Sequence, residues 1–178
     1  MTFIGPEATN LEKQSVFRIA EKAARNFGYL ENFDIYQAVE SLGGKVLTKD
    51  FWAEGSSQYG SLEVRSEDDF TIYVPQETSK FRDRFTIAHE LGHYVLHYLW
   101  PVHVLNKGDF QLRASRYGSD RTEWEANWFA SAFLMPSENF RRLAEQEKSS
   151  LSNIARYFKV SQAAVSTRAK VLEINVIN

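Results

Sequence analysis

The sequence predicts an α+β fold with a small antiparallel sheet, two facing helices and a helical tail. Three observations lead to it. Short apolar-rich runs at Lys45–Thr48, Ser61–Arg65 and Phe70–Val74 follow one another with no helix-length crossover, and strands joined that way pair antiparallel. Apolar residues then recur at helical spacing over Arg82–Trp100 and Arg121–Leu134. From Ser137 onward every apolar pattern is helical.

The elements follow in order. Leu11, Val16, Ile19, Ala20, Ala23 and Phe27 predict a helix over 11–28, with Gly28 as its C-cap. Phe33, Ile35, Ala38, Val39 and Leu42 predict a second over 33–42, stopped by Gly43-Gly44. The first two strands are separated by a loop containing Gly55-Ser56-Ser57 and Gly60. Pro101 is expected to stop the Arg82–Trp100 helix, and a polar loop with Gly108 and Gly118 leads to Asp120. That aspartate is suited to N-cap Arg121–Leu134, which ends before Pro136. Ser137 is expected to cap a helix through Glu147. Two short helices follow, 151–158 and 161–173, divided by Val160-Ser161.

Composition narrows the classes. With 178 residues, 43% hydrophobic and 14% aromatic, the chain can bury a core of its own. We divide it into a main unit, 1–148, and a small tail, 149–178, packed on it. A net charge of -2 argues against a mainly electrostatic nucleic-acid binder. The absence of cysteine excludes disulfides and thiolate metal sites, leaving histidine and carboxylate as ligands for any transition metal. Met1–Asn10 has no signal-peptide pattern. No apolar run approaches the roughly 18 residues of a membrane span, so a cytoplasmic location without membrane contact is expected.

The chemistry is concentrated in His89-Glu90-Leu91-Gly92-His93. Four-residue spacing puts both imidazoles on one helix face, where they can close on one metal ion. Glu90 occupies the position that, in zinc peptidases, takes a proton from a metal-bound water. A third ligand is needed. His97 lies eight residues past His89, about 12 Å along the axis, too far for both to hold one ion. A three-histidine pattern needs glycine at position 96 and histidine at 99, where this chain has Leu96 and Leu99. His103 could fold back past Pro101. The better source is the next helix, where Glu123 and Asn127 share a face, so that one can ligate while the other orients a ligand. Glu125 points about 200° away at ~100° per residue, toward solvent or a group it could cap. Gly92 inside a helix suggests close packing against a neighbour.

Arg84-Phe85-Thr86-Ile87-Ala88-His89-Glu90-Leu91-Gly92-His93, then Glu123-x-Glu125-Ala126-Asn127-x-Phe129-Ala130 and Phe133-Leu134-Met135-Pro136, closely resemble the ImmA/IrrE family of zinc metallopeptidases over roughly residues 30–140. The resemblance implies a minimal zincin of gluzincin type, with Zn2+ held by His89, His93 and Glu123, Glu90 as general base, and Asn127 holding His89. It also implies a protein substrate such as a helix-turn-helix repressor. No oxyanion donor stands out among Tyr94, His103 and Arg113. The strand Phe70–Val74 could add an extended substrate along its edge.

The tail carries a second reading. Residues 151–173 look like a helix-turn-helix unit, with Ile154, Ala155, Phe158, Val160 and Val165 as its apolar set. Arg156, Lys159, Arg168 and Lys170 oppose only Glu173, so direct nucleic-acid contact is an alternative to a packed tail. In that case the metal unit would serve a regulator or binding module without proteolysis.

Overall fold

In the computed structural model, residues 2–28, 33–50, 61–76, 79–115, 120–145 and 150–176 are described. The expected turn glycines Gly55, Gly60 and Gly118 and the helix end at Glu147 lie outside them. Chain order is β1 (Phe3–Ile4), α1 (Lys13–Asn26), α2 (Ile35–Ser41), β2 (Gly44–Lys49), β3 (Leu62–Ser66), β4 (Asp69–Pro75) and α3 (Lys80–His93). A π-helical stretch (Tyr94–Leu99), α4 (Trp100–His103), β5 (Gln111–Ala114), α5 (Arg121–Leu134), α6 (Ser137–Ala144), α7 (Leu151–Phe158) and α8 (Gln162–Leu172) complete it.

The class is α+β, and the sheet has the order β1-β5-β3-β4-β2. It is mixed rather than wholly antiparallel. β3 runs antiparallel to β4 and β5, but β2 lies parallel to β4 and β1 parallel to β5. The β3–β4 hairpin folds back so that β4 falls between β3 and β2, making the first and third expected strands neighbours. Both ladder edges of β4 are therefore used inside the sheet, and strand addition along Phe70–Val74 is excluded. β1 and β5 were not readable as strands, because two and four residues are too short for a periodic signal.

Local chemistry explains the helix starts. Asp34, Ser79, Asp120, Ser150 and Ser161 each accept a backbone N–H two or three residues on, satisfying donors that a first turn leaves open. Ser137 is not such a cap. It is the first residue of α6, and its N–H and hydroxyl both reach the Glu21 carboxylate, at 3.0 and 3.1 Å. Pro101 does not stop the α3 run either. The hydrogen-bond register slips in the π-helical stretch, and Pro101 falls in the first turn of α4. There its missing N–H costs little.

α5 is the centre of the helical layer. Its buried residues, among them Glu125, Ala126, Phe129, Ala132 and Phe133, form one broad face, while Trp124 and Asn127 lie on the exposed side, as expected of an amphipathic helix. α1 and α3 flank it. Leu62, Val64, Phe70, Ile72 and Leu112 bring the buried face of the sheet into the same core. Where α3 meets α5 the approach is close. A Cβ on Gly92 would lie 3.0 Å from the Ala126 Cα and 3.1 Å from the Phe129 Cβ. The helix-propensity cost of that glycine allows the two helices to come near enough for their side chains to converge.

Candidate metal centre

α3 offers His89 and His93 from successive turns, and α5 offers Glu123 from its first turn. Their ligand atoms lie within 4.8 Å of one another. The two Nε2 atoms are 3.2 Å apart. The Glu123 carboxylate faces both, with Oε2 3.2 Å from His89 and Oε1 3.1 Å from His93.

The outer ring atoms decide which nitrogens carry protons. Asn127 turns its Oδ1 to His89 Nδ1 at 3.1 Å. An amide oxygen only accepts, so Nδ1 donates and a neutral His89 keeps its Nε2 lone pair. His93 Nδ1 lies 3.0 Å from His97 Nδ1, and His97 Nε2 lies 3.1 Å from Glu125 Oε2. The carboxylate takes the His97 Nε2–H. His97 Nδ1 must then accept from His93 Nδ1–H, which leaves the His93 Nε2 lone pair bare as well. With both imidazoles neutral, two lone pairs and a carboxylate thus converge. Two imidazoles with one carboxylate are a donor set that could hold a borderline transition metal.

The electrostatics agree. Burial pushes His93 down to about 4, so it is neutral at pH 7. Burial raises the Glu123 pKa, but the adjacent His89 and His93 outweigh it and hold the carboxylate at about 2. For His89 burial acts downward. The Glu123 hydrogen bond and the charges of Glu90 and Glu123 leave it above its ordinary value, a proton standing where a metal would. Glu90 is only 3% exposed.

His97 and Glu125 are the residues that sequence reasoning undervalued. His97 is a satisfied core histidine, but what satisfies it includes His93, one of the two imidazoles that face Glu123. Glu125 is not solvated. It is fully buried and accepts from Thr9 N and Oγ1, Asn10 N, and Arg121 Nε, all at 2.8–3.0 Å. The signal available was the repeat of histidine at 89, 93 and 97 opposite two glutamates on α5. Read with an α-helical pitch, it could not show the π-helical turn carrying His97.

Other candidates go elsewhere. Tyr94 gives its hydroxyl to the Glu67 carbonyl, His103 pairs with the Glu67 carboxylate, and Arg113 pairs with Glu63. Those partners lie on β3 and the turn after it. Arg84 bonds the Phe33 carbonyl. Trp124, next to Glu123, is 54% exposed. Arg168 is wholly buried, bonded to the Met135 carbonyl and Glu21, so it cannot face DNA.

Residues 39–170 match the model of the IrrE N-terminal-like domain, peptidase family M78. The chain belongs to that family. It is a family of metal-dependent peptidases, and this member carries the His-His-Glu group that could hold the metal. In fold the domain is similar to a Mycobacterium tuberculosis transcriptional regulator, at TM-score 0.58 and 19% identity over 88% of this chain. The chain spans 46% of that protein's length. No curated protein matches the sequence. No helix among the described residues is long and apolar enough to cross a membrane.

Proposed function

We propose that this chain is a zinc-dependent endopeptidase that cleaves a regulatory protein, of which a helix-turn-helix repressor is the leading example. The observation that carries this reading is the convergence of His89 Nε2, His93 Nε2 and the Glu123 carboxylate within 4.8 Å. Zinc bound there would lower the pKa of a water towards 7 and polarise a peptide carbonyl. Glu90 accepts the proton of the attacking water and passes it to the leaving amine. His89, His93 and Glu123 are the ligands. Asn127 fixes the ring of His89 through Nδ1, as His97 does for His93. The fold likeness to a transcriptional regulator and the ImmA/IrrE resemblance both support a target in gene regulation.

Metal analysis of the purified protein, paired with incubation against the repressor encoded beside it, tests this. The wild type should carry about one zinc per chain, and His93→Ala should lose it. Glu90→Gln should keep zinc and cleave about 10²- to 10⁴-fold more slowly. Cleavage by Glu90→Gln at the wild-type rate would overturn the mechanism.

The reading in which the tail contacts DNA loses one of its four cations, since Arg168 is buried. Arg156, Lys159 and Lys170 remain exposed, and they carry no geometry that selects nucleic acid.

A further inference from the structure

A cavity of about 410 Å³ lies one helical turn along from the metal group. Its walls include Phe85, Asn127, Trp128, Ala164, Thr167 and Val171. Two of these tie it to the site. Phe85 precedes His89 by four residues on α3. Asn127 follows Glu123 by four on α5, and its Oδ1 is the partner of His89 Nδ1. One turn is about 5.4 Å, and an extended peptide advances about 3.3–3.6 Å per residue. A residue within two positions of a bond at the metal group would place its side chain here.

The far wall comes from α8. Ala163, Ala164, Thr167 and Val171 present small and apolar surface across from Trp128 and Phe85. The start of α8, which a DNA-binding unit would turn to the major groove, instead faces this cavity. Among the described residues no carboxylate lines it, and Lys13 is the one charged wall residue, so a basic side chain has no partner. The volume lies within the ~300–1,000 Å³ of ligand pockets, which apolar walls with few polar groups typify. A cavity of about 430 Å³ between α1, α6 and α8 offers less. Its Glu21 is bonded to both Ser137 and Arg168, and neither Phe85 nor Asn127 lines it.

We infer that α8 is a substrate-recognition element: with Phe85 and Trp128 it forms the subsite for a large apolar side chain close to the scissile bond. This rests on the peptidase reading for its substrate, but not for its ligand chemistry. The test uses both. Zinc-loaded protein is titrated with acetohydroxamate and with phenylpropanohydroxamate, which share a metal-binding head and differ in an aromatic arm. The aromatic compound should bind at least about tenfold tighter. Thr167→Trp, at an exposed position, and Ala164→Phe should each reduce that ratio several-fold, with zinc content and melting checked for both. In parallel, a mixture of unstructured peptides is digested and its cut sites are mapped by mass spectrometry. A large apolar residue should recur at one fixed position, and Thr167→Trp should shift the preference there to smaller residues. Equal affinity for the two hydroxamates, or a ratio unmoved by both variants, overturns the subsite. If the peptides stay intact while the aromatic gain is present and lost in the variants, the subsite stands and the peptidase reading fails. A zinc-loaded protein that binds neither compound overturns both.

Discussion

His97 sets its Nδ1 3.0 Å from the Nδ1 of His93, inside a stretch where the helix has widened to π geometry. Because its other nitrogen meets the Glu125 carboxylate, the contact has a direction. Glu125 fixes the His97 tautomer, and His97 fixes that of His93. The bare Nε2 facing Glu123 is the end of a chain that begins at the N-terminal segment, where Thr9 and Asn10 hold Glu125.

His97→Ala should therefore weaken zinc binding without removing a ligand. Loss of a group that orients a ligating histidine costs about 10- to 100-fold in metal affinity. Competition with a chromophoric chelator measures it. Unchanged affinity in a folded variant would show that His93 needs no such support.

Glu125 should make stability depend on acid. Burial raises its pKa, but bonds from His97, Thr9 and Arg121 bring it from 4.5 to about 2 in the folded chain. A depressed carboxylate stabilises above its unfolded pKa and loses that contribution as pH falls through the folded value. A gap of that size corresponds to roughly 3 kcal/mol. In metal-free protein, urea unfolding should find Glu125→Gln less stable than wild type at pH 7. The difference should shrink below pH 4.5 and close near pH 2. A constant difference across that window would assign the stabilisation elsewhere.

Gly92 should resist enlargement. With Ala126 backbone and Phe129 already 3.0–3.1 Å from a hypothetical Cβ, Gly92→Val must push α3 off α5. Overpacking of this kind costs about 1–3 kcal/mol, and the same shift moves His93 relative to Glu123. Thermal melting and zinc titration should therefore fall together. A variant that melts like wild type and binds zinc as tightly would contradict the close crossing.

Arg168 should behave as a core residue. Arg168→Ala leaves Glu21 and the Met135 carbonyl without their buried partner, at a cost on the order of 3 kcal/mol. Arg156→Ala and Lys170→Ala, at exposed positions, should change stability by less than about 0.5 kcal/mol. Chemical denaturation separates the two outcomes. A neutral Arg168→Ala would return this residue to the solvent face.

Much was legible in the chain because it depends on local spacing. His89, Glu90 and His93 are brought together by one helix pitch. Glu123 and Asn127 are brought together by another, and Asp120 marks where that second helix starts. The absence of cysteine limits the donor set to histidine and carboxylate whatever the fold. The places of the helices followed from apolar period, a short-range effect, whereas Pro101 and Ser137 did not act as the expected stop and cap.

What the sequence determined by itself was the α+β class, the ligand types and the two helix faces that carry them. Only the tertiary structure decided the strand order, because the parallel pairing of β2 with β4 depends on which way the β3 hairpin folds. It also decided the partners of His97, Glu125 and Arg168. Each is a polar group committed to the interior by residues far away in the chain, and burial makes a polar group's nearest neighbour, rather than its place in the sequence, the arbiter of its role.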